Sequence, residues 1–254
     1  MKTATVQDQD KNLVFDYEVR CRCKDCGREF REFFPKITMT IKEALGDNPV
    51  PFCNDCSEKR NKFKEEQERK KFLASEFEKA QIPFCFLQNY DPGRGNNDLL
   101  NFILDNSGKT LYIAGNPGIG KTWAVCEAAK RMILARIGKT FLFLNWEEAV
   151  KDYLSACDES ESLGNKWRRS LLAADIIIVD DFGKGNFTQR GVDLFYYLTN
   201  KMYESVNKRM WITANLPADC YLDGIRDKKL QADLQAACSR LARIDNFSSW
   251  NEEA

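Results

Sequence analysis

The chain has 254 residues, 43% hydrophobic and 30% charged, with Lys plus Arg and Asp plus Glu both at 38. That length suits one large domain or two modest ones, and no run approaches the ~18 apolar residues of a membrane span. Balanced charge supplies no global field toward nucleic acid or membrane, so any DNA contact needs a local patch, and no membrane partner is expected. The absence of histidine closes Ser-His and Cys-His nucleophile chemistry and histidine metal ligation. The opening stretch MKTATVQDQDKN offers no apolar run for an export signal, and a cytoplasmic location is the expectation.

In chain order, Leu13, Phe15, Tyr17 and Val19 put apolar residues at every second position, the period of a half-buried strand, and lead into the first cysteines. Five of the ten cysteines lie before residue 60, while Cys85, Cys126, Cys157, Cys220 and Cys238 are scattered singly. Cys23-Lys-Asp-Cys26 and Cys53-Asn-Asp-Cys56 form two CxxC knuckles with 26 residues between them. That spacing is compatible with a zinc ribbon, in which each knuckle offers two thiolates to one tetrahedral ion. Gly27 suits the left-handed position after the first knuckle, and Cys21 is the expected extra thiol. Residues 1–57 therefore read as a small module holding Zn²⁺. With nine basic and ten acidic side chains, it is a poor footprint for DNA. Residues 58–80 are dense in helix formers, with Phe63, Phe72 and Phe77 as apolar positions, and read as a helical linker.

From residue 81 to 254 strand-length apolar runs alternate with helical stretches. The strands are Thr110–Ala114, Thr140–Leu144, Ile176–Val179 and Met210–Ala214; the helices are Trp123–Ile137, Glu147–Cys157, Asn165–Ala173 and Gly191–Val206. Such alternation predicts a parallel sheet covered on both faces. Gly115-Asn116-Pro117-Gly118-Ile119-Gly120-Lys121-Thr122 follows the first of these strands and opens a helix. In that context the pattern is a phosphate loop: glycines let backbone N–H groups turn inward, Lys121 reaches the β and γ oxygens of ATP, and Thr122 offers a hydroxyl to Mg²⁺. Ile176–Val179 runs into Asp180 and Asp181. In a phosphate-loop fold Asp180 falls where the Mg²⁺ shell needs a carboxylate, and Asp181 where a base orients the attacking water. The next strand brings Thr213 and Asn215 to the same sheet edge.

GNPGIGKT, IIIVDDFG, WITANL and a late SRL resemble the AAA+ ATPases of the DnaC/DnaI helicase-loader group and their IstB-type transposition relatives, over about residues 81–245. The resemblance implies a P-loop AAA+ αβα sandwich with a parallel sheet. It implies ATP hydrolysis, Asn215 as first sensor, and Arg240 as an arginine finger acting on a neighbouring subunit in a ring or spiral, with Arg243 as the fallback. DnaI-type loaders place a small zinc-binding domain ahead of the ATPase to grip the replicative helicase, and the order here is similar. The expectation is a helicase loader that also binds single-stranded DNA; the alternative is an IstB-like transposition helper working with a transposase, or less favoured a non-hydrolysing adaptor. For DNA the best local patch is Lys166-Trp167-Arg168-Arg169, cations beside an aromatic on which a base can stack.

Overall fold

The structure is a computed structural model that describes residues 15–35, 52–88, 97–184, 188–222, 225, 227–244 and 248–249. It divides into two compact units, Met1–Lys70 and Lys71–Ala254. In the first, β1 (Phe15–Arg22) pairs antiparallel with β2 (Glu29–Pro35), closing at Arg22 opposite Glu29. The expected strand is thus present from Phe15 onward; Leu13 lies outside the described residues. The first CxxC forms the turn of this hairpin. Helix α1 (Asn54–Lys79) contains no glycine or proline and carries an i,i+4 ion pair, Lys70 with Glu66 at 2.6 Å. It starts four residues before the expected residue 58 because the second knuckle is itself the first helical turn: the Cys56 and Ser57 N–H groups both donate to the Cys53 carbonyl at 2.9 Å.

The second unit is an αβα sandwich. Its parallel sheet runs in the order β4-β5-β6-β3-β7, with β3 at Leu111–Ala114, β4 at Phe141–Asn145, β5 at Ile176–Phe182, β6 at Arg209–Ala214 and a two-residue β7 at Ser248–Ser249. The strands are apolar at nearly every position because both faces are covered, and period-two alternation sorts the side chains between them. Tyr112, Leu144, Ile177, Val179, Met210 and Ile212 fill one face. Leu111, Ile113, Phe141, Phe143, Ile176, Ile178 and Trp211 fill the other.

On the first face pack α4 (Trp146–Glu159), α6 (Gln189–Glu204) and α8 (Lys228–Ile244); on the second, α2 (Asn97–Asp105), α3 (Lys121–Leu134) and the end of α1 through Leu73 and Phe77. Short α5 (Glu161–Ser170) runs into a 3-10 turn at Leu171–Ala173, and α7 (Ala218–Leu222) precedes α8. All four expected strands and four helices of this unit are present within a few residues. Helix α2 and the C-terminal pair α7 and α8 were not expected as elements. In the chain β3 is followed by β4, yet β5 and β6 stand between them in the sheet. The crevice beyond the carboxyl ends of the strands at such a crossover is where open α/β sheets take ligands, and the phosphate loop begins there.

The α4–α5 hairpin closes through Gly164, which is buried. A Cβ on Gly164 would lie 2.4 Å from Cys157 Sγ and 3.3 Å from Cys157 Cα. Gly164→Ala should therefore destabilise the fold by about 1–2 kcal/mol, read as a lower melting temperature, with part of the loss recovered in Gly164→Ala/Cys157→Ala. A variant as stable as the parent would show that the hairpin yields at no cost.

Candidate nucleotide site and metal centre

The loop leaves buried β3 at Gly115, whose N–H donates to the Ala214 carbonyl of β6 at 3.2 Å. Gly118 and Gly120 have φ of +89° and +87°, a region that β-carbon-bearing residues rarely adopt. A Cβ at Gly118 would meet nothing within 4 Å, so glycine is required there by the backbone and the space beside it stays open. Lys121, the first residue of α3, is 7% exposed. Its Nζ donates to the carbonyls of Gly115 at 2.6 Å and Asn116 at 2.8 Å, and to Asn215 Oδ1 at 3.3 Å. Burial lowers the Lys121 pKa, while Asp181 and then Asp180 act to hold its charge.

Asp180, also 7% exposed, ends the apolar run of β5. Its Oδ1 accepts two hydroxyls, Thr213 Oγ1 at 2.6 Å and Thr122 Oγ1 at 2.8 Å. Burial raises its pKa, and these two hydrogen bonds oppose the rise. In a regular strand Asp181 would point to the opposite face. The β5–β6 register instead shifts between Val179 and Phe182, and Asp181 adopts φ +57°. The bulge re-aims the second carboxylate, so both act on the Lys121 ammonium. The Asp181 N–H donates to Thr213 Oγ1 at 3.1 Å, and its carboxylate pairs with Lys184 at 3.0 Å. One buried hydroxyl, Thr213, thus serves both aspartates. The sequence places Thr213 at this edge but shows neither this double role nor the Lys184 partner, which depend on the bulge.

Lys121, Thr122, Asp180, Asp181 and Asn215 converge on one sheet edge. The donor set fits ATP with Mg²⁺: a glycine loop for phosphate oxygens, one ammonium, and a hydroxyl and a carboxylate already 2.8 Å apart where a divalent cation could take both. Arg240 and Arg243 lie on α8, and their side chains fall outside the described residues.

In the first unit the ligand atoms of Cys23, Cys26, Cys53 and Cys56 all lie within 4.8 Å of one another, and Cys26 Sγ sits 3.7 Å from Cys53 Sγ. A tetrahedral Zn²⁺ with bonds of ~2.3 Å has sulfur–sulfur edges of about 3.8 Å, so the set fits zinc. Cys21 is not a member of the cluster. Gly27 has φ +69° and its N–H donates to the Cys23 carbonyl at 2.9 Å. The backbone N–H groups of Cys26 and Cys53 bring the Cys23 thiol down to about 6. Cys56, sharing hydrogens with the Cys53 and Cys26 sulfurs, is pushed up to about 12. The two knuckles are cross-braced. Asp25 of the first takes Arg60 through two 2.6 Å bonds, and Asp55 of the second takes Arg28 at 2.6 Å. Arg60 also lies 4.0 Å over the Phe52 ring.

The cationic stretch on α5 is partly used inside the fold. Trp167 packs against Tyr153 with ring centroids 5.8 Å apart, and Arg168 lies 4.5 Å over the Tyr197 ring. Tyr153 thus takes one side of the half-buried Trp167 ring, and Lys166 and Arg169 are the exposed cations. A cavity of about 780 Å³ along the outer edge of β4, lined by Phe141, Phe143, Trp167 and Leu171, contains none of the phosphate-loop residues.

One metal prediction follows from the sulfur cluster. Elemental analysis should find one Zn²⁺ per chain, Cys53→Ser should lose it, and chelation should unfold the hairpin and the start of α1, because the ion holds together elements that bury little apolar surface. Zinc retained in full by Cys53→Ser would exclude this ligand set.

The family described as IstB-like ATP binding protein matches residues 62–242. No curated protein matches the sequence. Among solved structures, the crystal structure of DnaI aligns with TM-score 0.50 and 15% identity over 64% of this chain and 87% of that one. The DnaC helicase loader aligns with TM-score 0.45 and 15% identity over 60% and 86%, and a primosome component from Streptococcus pyogenes serotype M3 with 0.44 and 14% over 61% and 76%. At these identities the structural likeness is one of fold. The family match spans well over half of the chain and includes the phosphate loop, both aspartates and Asn215: this chain belongs to the IstB-like ATP-binding proteins.

Proposed function

We propose that the protein is a Mg²⁺-dependent ATPase that acts as a helicase loader, holding a replicative helicase through its cysteine module and contacting single-stranded DNA. The observation that carries the ATPase reading is the gathering of Lys121, Thr122, Asp180, Asp181 and Asn215 around one phosphate loop. Bound there, ATP would supply the γ-phosphoryl group, and Mg²⁺ would offset the charge that develops on it. Lys121 binds phosphate oxygens. Thr122 and Asp180 would hold the cation. Asp181, turned toward the site by the β5 bulge, orients water and accepts its proton, and Asn215 hydrogen-bonds water or phosphate. Arg240 is proposed as the finger supplied to a neighbouring subunit in a ring or spiral.

The loader reading draws on the order of parts, a four-cysteine module ahead of the ATPase, and on the sequence resemblance to DnaI-type loaders. Single-stranded DNA would meet Lys166 and Arg169 through its phosphates. The IstB-like family match over 62–242 favours a second reading, in which the same ATPase assembles on duplex DNA and recruits a transposase.

Two outcomes test the reading. Lys121→Ala should abolish nucleotide binding in a fluorescent-ATP titration, while Asp181→Asn should bind normally and release phosphate about 100-fold more slowly. An Asp181→Asn that hydrolyses at the parent rate would remove the base assignment. With the full chain as bait in a bacterial extract, and Cys53→Ser as control, a replicative helicase captured only by the parent supports the loader, and a transposase the alternative.

A further inference from the structure

Outside the motif residues, two phenols close on the backbone that carries Asn215. Tyr112, on β3, donates its hydroxyl to the Leu216 carbonyl at 2.9 Å. Tyr221, on α7, accepts the Leu216 N–H at 3.3 Å and donates to the Phe182 carbonyl at 3.0 Å. Leu216 follows Asn215 and Phe182 follows Asp181, so the single Tyr221 hydroxyl joins the two turns that present these side chains. The Phe182 ring stands edge-on to both phenols, with centroids 6.1 Å from Tyr112 and 5.8 Å from Tyr221. Gly183, at φ +80°, backs onto the Tyr221 ring so closely that a Cβ there would lie 2.3 Å from it. Burial raises the Tyr221 pKa, which keeps the hydroxyl a neutral donor.

We propose that Tyr221 is a positioning residue for ATP hydrolysis: it sets the spacing between Asp181 and Asn215 and ties both turns to α7, the short helix ahead of α8. The inference rests on the ATPase reading. Removing the hydroxyl leaves the ring packed on Gly183 and Phe182, so the fold persists. The Phe182 carbonyl and the Leu216 N–H lose their common partner, so the turns keep the Phe182–Ala214 pairing and the Asp181–Thr213 bond but lose the tie beyond them. A displacement of about 1 Å at catalytic groups slows a reaction without weakening binding held elsewhere, and the Lys121 bonds to the Gly115 and Asn116 carbonyls do not involve either turn's side chains.

Tyr221→Phe should release phosphate about five- to tenfold more slowly, the effect of one lost hydrogen bond, with ATP affinity and melting temperature close to the parent's. By hydrogen-exchange mass spectrometry, peptides covering Leu216 should exchange about tenfold faster. Gly183→Ala, which displaces the ring, should lower turnover too, and the double variant should be no slower than the slower single one. Turnover within about twofold of the parent, or affinity falling in step with turnover, would overturn the proposal, since Tyr221 would then be inert or act on binding. If the parent itself hydrolyses no ATP, the ATPase reading fails on its own, and exchange at Leu216 still decides the brace: acceleration in Tyr221→Phe supports it, and an unchanged rate overturns it.

Discussion

A carboxylate can stand at the buried end of an apolar strand only where polar groups meet it, because an ion removed from water without partners neutralises or destabilises its surroundings. Asp180 is that carboxylate. Four consecutive buried residues, Ile176 to Val179, carry it to the edge of the sheet, and two hydroxyls from neighbouring elements receive it, Thr122 from the phosphate-loop helix and Thr213 from β6. This one acceptor therefore fixes three elements against each other: the start of α3, the end of β5 and the end of β6. The phosphate loop runs into the start of α3, and its Gly115 N–H donates to Ala214 at the end of β6.

The β5 bulge follows from the same arrangement. Period two would send Asp181 to the far face; the left-handed turn at Asp181, held by its N–H on Thr213 Oγ1, brings it back to the side where Lys121 stands. A single threonine that receives a backbone N–H and gives its own proton to a carboxylate links the shape of the strand to the direction of both charges. Tyr221 extends this chain of contacts outward, from the Asp181 turn through Phe182 to the Asn215 turn and α7.

The cysteine unit solves a different problem. A two-stranded hairpin and the start of one helix bury little apolar surface, and elements of that size need a staple. Its two knuckles share the pattern Cys-x-Asp-Cys, and each aspartate pairs with an arginine that follows the other knuckle, Arg28 after the first and Arg60 after the second. The charges on these arginines lie close to the thiolates: Arg28 is influenced by Cys26 and Cys53, and Arg60 by Cys23 and Cys56. Two guanidinium groups thus offset part of the negative charge that four sulfurs concentrate. The second knuckle opens a helix, where the Cys56 and Ser57 N–H groups both donate to the Cys53 carbonyl.

What the sequence alone determined was whatever depends on short-range periodicity or on spacing within a motif. The four main strands, the helices after them, the phosphate loop with Lys121 and Thr122, the aspartate pair and the two CxxC knuckles are all of this kind, because each is specified by residues a few positions apart. Contacts between distant segments set the rest. That Tyr153 packs on one side of Trp167 and Tyr197 takes Arg168 is not visible in the run of cations beside an aromatic. Helices α2, α7 and α8 owe their packing to a sheet whose strand order does not follow the chain. The Thr213 bonds to both aspartates and the Tyr221 bond to Phe182 depend on a backbone bulge and a turn, and no local pattern of side chains encodes where a hydroxyl 32 or 39 residues away will close.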